Sequence, residues 1–255
     1  MDAMLESLQA RRRREQFLCS PLAMVLNNAY IVRRGLYKGI LSVSPRIAGN
    51  ILDFGCGSKP YESLFVNAAS YTGVDIEISG HNHEHSRVDV YYDGKTLPFP
   101  DRHFDAVVSF EVFEHVFNID EAMSEIGRVL KPGGQLLITV PFAWYEHEVP
   151  YDFARYTSYG IRHILEQHKF EVVEIIKTTT YVLAVCQMWI AYLSQHLFPK
   201  KKPLSIVFQL LVIFPFTLGS LLLNAILPKR FAYFCNCVVL GRKPSDGAPG
   251  ATAQA

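Results

Sequence analysis

The stretch Ile51–Tyr61, ILDFGCGSKPY, constrains this chain more than any other. The apolar run Asn50–Phe54 reads as a buried strand and feeds directly into Gly55-Cys56-Gly57. Glycine is the residue that turns a chain this sharply and still lets its backbone come close to a ligand. A buried strand ending in such a turn suits an open α/β sheet, whose ligands sit outside the carboxyl ends of the strands.

The rest of the chain agrees with that frame. Tyr71–Asp75 reads as a second strand, Arg87–Val90 as a weaker third, Asp105–Phe110 as a fourth and Gln135–Val140 as a fifth. Ala122, Met123, Ile126, Val129 and Leu130 recur on one helical face, and Lys131-Pro132-Gly133-Gly134 stops that helix. Tyr159–His168 is helical in pattern, Phe170–Thr178 is a sixth strand, and Phe231–Gly241 is the last. The expected fold is α/β: a Rossmann-like, doubly wound, seven-stranded and mostly parallel sheet. It carries an N-terminal helical arm (1–49) and an apolar helical insertion (181–230) before the last strand. Residues 50–180 and 231–243 form the sheet domain, and 244–255 read as a disordered tail.

Charge narrows the partners. Lys and Arg total 25 against 24 Asp and Glu, a net charge of +1, so no basic field calls for a nucleic acid. The five cysteines are odd in number and show no CxxC spacing, as expected of free thiols in a reducing compartment. Met1–Gln16, with Arg11–Arg14, lacks the pattern of a secretory signal, so a cytoplasmic location is expected.

Two carboxylates extend the glycine turn into a ligand site. Asp75 closes the second strand about twenty residues on, where a carboxylate accepts hydrogen bonds from a ribose diol. Asp93, before Gly94–Phe99, is placed to accept from an adenine amino group, and Asp53, at the first strand's end, to face an ammonium. A dinucleotide-binding protein shares the turn and the ribose acid, but its third glycine is Pro60 here.

The segments ILDFGCGSKPY, YTGVDIE, YYDGKTLPFPDRHFDAVVSFEVFEHV, EIGRVLKPGGQLLITVP and RYTSYGIRHILEQHKFEVVEI are similar, in order and spacing, to the motifs of class I S-adenosylmethionine-dependent methyltransferases of the UbiE/type 11 kind. The resemblance covers roughly residues 45–180 and the last strand. It implies that S-adenosyl-L-methionine is the cofactor, with Gly55 and Gly57 lining its loop, Asp75 at the ribose and Asp93 at the adenine. Phe110 and Glu111 would then flank the methionine end.

Catalytic groups are harder to read, because a sulfonium methyl is already activated and alignment does most of the work. A base is needed only for a poor nucleophile such as a sugar hydroxyl. Glu111, Glu114 and His115 form E-x-x-E-H, which shares one face if the segment is helical. Similar residues in quinone O-methyltransferases are associated with a divalent metal; the reading adopted here is metal-free, with the pair positioning the segment. The loop Tyr145–Tyr156 concentrates acids, aromatics, Arg155 and His147. His147 is the expected base, oriented by Glu148 or Asp152; the alternative is a lid in which Asp152 and Arg155 merely pair.

Tyr181–Phe198 is apolar and aromatic, and Pro203–Pro228 carries no charged residue. Both flanking strands belong to one sheet, so a single membrane span is excluded, and a two-span hairpin would strand Lys200-Lys201-Lys202 on the far side. A monotopic arrangement keeps those lysines, with Lys229 and Arg230, at the headgroups, and Pro215 and Gly219 would bend the second helix. A hydrophobic homodimer interface is the competing reading. The functional expectation is O-methylation of a glycan or lipid-linked cell-envelope intermediate at the cytoplasmic membrane face. The alternatives are methylation of an isoprenoid quinone or other small lipid, and a catalytically idle, membrane-docked scaffold.

Overall fold

The computed structural model describes residues 17, 20–77 and 86–246; Arg11–Arg14, Cys19 and the tail beyond Asp246 fall outside the described residues. The strands are β1 (Ala48–Phe54), β2 (Asn67–Ile76), β3 (Val90–Tyr92), β4 (Phe104–Phe110), β5 (Leu130–Pro141), β6 (Glu171–Lys177) and β7 (Asn236–Arg242). They form one seven-stranded sheet in the order β3-β2-β1-β4-β5-β7-β6. The β3–β2, β2–β1, β1–β4 and β4–β5 pairs are parallel. Continuous apolar runs such as Val107–Val108 and Leu136–Ile138, fully buried, mark strands covered on both faces, as parallel sheets require. β7 runs the other way beside β5: Gly133 and Gly134 bond to Lys243, whereas Phe142 bonds to Cys235. Strand order reverses between β1 and β4, which opens the crevice where α/β sheets bind ligands.

By internal contact the chain divides into two compact units. One comprises Val43–Val140, Glu146–Ile175 and Val239–Ala255. Its helix α3 (Ile119–Val129) buries Met123, Ile126 and Val129, and places Asp120 and Glu121 in its first turn and Arg128 in its last, as the helix dipole favours. Helix α4 (Ser158–Gln167) is capped by Thr157, whose hydroxyl accepts from the Gly160 amide at 2.9 Å, and buries Ile161 and Leu165. Between β1 and β2 there is no α-helix among the described residues, only a 3-10 turn at Glu62–Leu64. Gly57 and Pro60 break the chain where the alternation of strand and helix predicts a helix.

The other unit comprises Met1–Ser42, Pro141–Tyr145 and Ile176–Val238. It contains α1 (Pro21–Leu26), α2 (Tyr30–Val43) as far as Ser42, α5 (Tyr181–His196), α6 (Lys202–Phe208) and α7 (Phe214–Ile226). Ile31, Leu183, Ile190, Leu193 and Ile213 form its core. Two buried amides within apolar helices find backbone partners, as burial demands: Gln187 Nε2 donates to Asn28 O at 2.9 Å and Gln209 Nε2 to Val25 O at 3.0 Å. Pro215 does not interrupt the second apolar segment. The helix runs on from Lys202 to Ile226 through a π turn at Gln209–Ile213, which takes up the missing proline N–H just upstream. Pro203–Ile226 is long and apolar enough to cross a membrane, and most of its surface is exposed.

Candidate active site

The loop after β1 is fixed by the neighbouring strand: the amides of Gly55 and Cys56 both donate to Val74 O, at 2.9 and 3.1 Å. Gly55 adopts φ +71, and a Cβ there would lie 2.6 Å from the Val112 methyls. Gly57 adopts φ +46, yet a Cβ there would meet nothing within 4 Å. One glycine is required by the protein's own packing; the other leaves its space for a ligand. Lys59, buried and also at positive φ, forms an ion pair with Asp89, so the loop is tied to the segment before β3.

Asp75 is buried, and its carboxylate accepts from the Gly57 amide at 3.0 Å and the Ile76 amide at 2.8 Å. It therefore holds the glycine loop against the carboxyl end of β2. Asp53 accepts from the Tyr71 hydroxyl at 2.8 Å, and its second oxygen is buried without a hydrogen-bond partner among the described residues. Burial pushes its carboxyl up to about 7, although the Tyr71 hydrogen bond and the Lys59 charge work against the shift. Asp93 accepts from the amides of Thr96 and Lys95, both at 2.9 Å, and these bonds hold its carboxyl below the usual range. It lines a cleft of about 480 Å³ with Ile76, Glu77, Tyr91, Tyr92 and Gly94. Phe110 packs edge-on against Tyr61 at 5.0 Å. Glu111 stands at φ +55, its amide donating to Thr139.

These groups meet what S-adenosylmethionine asks of a protein. An orphaned buried carboxylate oxygen at Asp53 suits an ammonium, the open space at Gly57 admits a close ligand, and the Tyr91–Gly94 cleft has aromatic walls for a base. Sequence reading places Asp53, Gly55, Gly57, Asp75 and Asp93 on this site. It misses Tyr71, which lies one strand over, and the walls Tyr91 and Tyr92, whose only signal is aromatic spacing along β3.

The second cluster lies just past β4. Phe113–His115 is a 3-10 turn, so Glu111, Glu114 and His115 do not share a helical face; Glu111 precedes the turn in the left-handed region. Glu114 is fully buried, and neither carboxylate oxygen has a hydrogen-bond partner among the described residues. Burial, reinforced by the Glu111 charge, pushes its carboxyl well above the usual range. His115 Nδ1 lies 2.7 Å from Tyr151 O, and a carbonyl only accepts, so Nδ1 carries a proton. In the neutral ring Nε2 is then the lone-pair nitrogen, 3.9 Å from Glu114 Oε1 and 3.8 Å from Glu148 Oε2.

The two rings of His115 and His147 meet edge to face at 4.9 Å. His147 Nδ1 is 3.3 Å from Asp152 Oδ2, and the His147 amide donates to the same carboxylate at 2.8 Å. Arg155 clamps Asp152 with two bonds of 2.5 and 2.6 Å, which hold its carboxyl far below the ordinary range. Burial and the adjacent His115 lower His147. Asp152, then, is the carboxylate nearest the His147 ring and holds its backbone, while Glu148 faces His115. The Asp152–Arg155 pairing and the Asp152–His147 contact coexist. Glu114, His115 and His147 each present an atom within 4.8 Å of the others.

The strand order, with β7 reversed between β5 and β6, and the glycine loop after β1 make a Rossmann-like α/β fold. A methyltransferase-domain family model matches residues 12–175, and the chain belongs to that family. It is 36% identical over 121 residues to a fatty-acid O-methyltransferase of Mycolicibacterium smegmatis, covering 44% of this chain and 43% of that protein. Over 98 residues it is 34% identical to phthiotriol/phenolphthiotriol dimycocerosates methyltransferase 1 of Mycobacterium ulcerans, 35% of this chain and 36% of that one. Over 60 residues it is 42% identical to the ubiquinone/menaquinone biosynthesis C-methyltransferase UbiE of Shewanella pealeana, 24% of each chain. The chain thus spans less than half the length of these curated relatives. Among solved structures, the 4+2 cyclase SpnF superposes with a TM-score of 0.51 at 18% identity, covering 82% of this chain and 81% of that one. An S-adenosylmethionine-dependent methyltransferase of Mesorhizobium loti gives 0.50 at 12%, covering 84% and 100%. At such identities the likeness is one of fold, and a cyclase among the neighbours underlines that fold alone does not fix the reaction.

Proposed function

We propose that this protein O-methylates a hydroxyl of a glycan or lipid-linked cell-envelope intermediate at the cytoplasmic face of the membrane. The observation that carries the reading is Asp152, clamped by Arg155 and bonded to the His147 amide, with the His147 imidazole 3.3 Å away past the carboxyl end of β5. A hydroxyl is a poor nucleophile, and a positioned base is what its methylation requires. Bound S-adenosylmethionine supplies an activated methyl on a sulfonium, in the site formed by Asp53, Gly55, Gly57, Asp75, Asp93, Phe110 and Glu111. His147, with Nδ1 toward Asp152, would take the hydroxyl proton at Nε2 while the acceptor oxygen gains the methyl and the methyl–sulfur bond breaks, its electron pair staying on sulfur to leave S-adenosylhomocysteine. His115 and Glu148 hold the acceptor beside it, and no metal takes part.

The membrane reading rests on the exposed apolar helix at 203–226 and on its flanking cations Lys200, Lys201, Lys229 and Arg230. Fatty-acid and dimycocerosate methyltransferases among the relatives give a lipid acceptor weight. Likeness to UbiE favours a second reading, methylation of an isoprenoid quinone or another small lipid.

Labelled methyl transfer from S-adenosylmethionine into membrane extracts, partitioned into lipid and glycan fractions, tests the acceptor. Label in a base-stable ether of a glycan or lipid-linked glycan supports the leading reading, and label confined to a quinone replaces it with the second. Calorimetry with S-adenosylmethionine, with Asp75→Ala as control, tests the enzyme itself; no heat with the parent protein leaves only a scaffold.

A further inference from the structure

Around the His115–His147 pair the surface changes character. Phe117 is 77% exposed, Val149 68%, Tyr151 42% and Phe153 44%. Single exposed apolar side chains are ordinary; four on the segments that frame one polar cluster mark a ligand surface. Three of them are tied to the cluster. The Phe153 amide donates to Glu114 O at 2.7 Å, Tyr151 O accepts from His115, and Phe117 packs edge-on against Phe153 at 5.2 Å. Beneath them lies the fully buried Glu114 carboxyl, without a hydrogen-bond partner among the described residues.

We propose that the acceptor is an amphiphile whose hydroxyl sits over the His115–His147 pair and whose hydrocarbon chain lies along the rim of Phe117, Val149, Tyr151 and Phe153. The proposal rests on the methyl-transfer reading above and narrows its substrate class. Phe117, Val149 and Phe153 offer no hydrogen bond to a sugar's hydroxyls, whereas a hydrocarbon chain dehydrates them along its length. The polar floor accepts only the head, because a chain pressed against the partly exposed His115 and Glu148 would strip water from their polar atoms. The two halves of the site therefore ask for the two halves of one molecule.

Calorimetry with alkyl β-D-glucosides tests this, each kept below its critical micelle concentration and with S-adenosylhomocysteine present. Glucose is the chainless control. Affinity is expected to rise from hexyl to octyl glucoside by about two- to fourfold per methylene, the range that burial of a CH₂ group supports. The double variant Phe117→Ser, Phe153→Ser should lose that dependence while binding S-adenosylhomocysteine within about twofold of the parent. If the double variant also loses S-adenosylhomocysteine, the single Phe117→Ser, at the most exposed ring of the rim, gives the same comparison. Affinity independent of chain length in the parent overturns the proposal, and so does a slope that survives the substitutions. An unchanged slope together with lost sedimentation on anionic vesicles would assign the rim to a membrane surface instead. Failure of the parent to bind S-adenosylhomocysteine at all is a separate result, and it removes the methyl-transfer reading rather than the rim.

Discussion

Asp53, by its proposed place beside the cofactor's ammonium, ties binding to pH. Its carboxyl, raised to about 7 by burial, is far above the value it has in an unfolded chain. Between about pH 4 and 7 the folded protein therefore holds a proton that the unfolded chain has released, and stability contributed by this group is lost as pH rises through that window. An ammonium placed against Asp53 needs the ionised form, so cofactor binding runs in the opposite sense. S-adenosylmethionine affinity is expected to rise roughly tenfold from pH 6 to 8, with proton release on binding, and Asp53→Asn should flatten the profile in calorimetry. The two glycines separate packing from binding. Gly55→Ala, forced against Val112 at positive φ, should lower the melting temperature by several degrees. Gly57→Ala should cost only about 1 kcal/mol of stability, from its left-handed backbone, while weakening cofactor binding more than tenfold. Equal effects of the two substitutions on melting and on binding would refute this assignment. The metal-free reading of Glu114, His115 and His147 predicts that prolonged chelation leaves turnover unchanged; turnover restored by an added divalent ion would transfer these residues to metal binding. The glycine turn was legible because a sharp turn after a buried strand demands glycine at Gly55 and Gly57; the ribose role of Asp75 stays a proposal. The choice of Asp152 over Glu148 beside His147 was not legible, since it depends on how a loop folds back on itself rather than on sequence distance.

Helices and strands were readable to the extent that burial is two-sided or periodic. β1, β4 and β5 show as apolar runs because both faces are covered, and α3 shows through its i, i+3 spacing at Met123 and Ile126. β3 appears at Val90–Tyr92 instead of Arg87–Val90, because an edge strand of three residues carries almost no pattern. The last strand begins at Asn236, five residues inside the apolar stretch Phe231–Gly241 whose composition suits a strand throughout. Composition cannot distinguish a strand from an irregular apolar approach to one. The apolar helix at 202–226 keeps its continuity at Pro215 through a π turn, which the sequence does not announce. Its exposed residues Leu211, 72% exposed, and Ile226, 81% exposed, carry the prediction at this scale. Leu211→Glu with Ile226→Glu should shift stability by less than about 1 kcal/mol, since neither side chain is buried. The same pair should abolish co-sedimentation with anionic vesicles if the helix lies at a membrane. Retained co-sedimentation, or a monomer released from a dimer by the same charges, would favour the protein-interface reading.

For the whole molecule, the donor-site residues all fall within one compact unit, and the apolar helices fall within the other. That division makes a further prediction: replacing 182–229 by a short glycine-serine turn should leave S-adenosylmethionine affinity within a few fold of the parent while removing vesicle binding. Loss of both would mean that the donor site depends on the apolar helices. The structural reason to expect separation lies at the base of the insertion. The Tyr181 amide donates to Arg230 O at 2.7 Å, and the Thr180 hydroxyl donates to Asn224 Oδ1 at 2.5 Å. Some fifty residues thus leave the chain and return to it across the width of one hydrogen bond. A doorway that narrow works as a graft point. Chains sharing the same donor chemistry could carry different cargo there, or none, and the address at which methylation happens could change independently of the reaction itself.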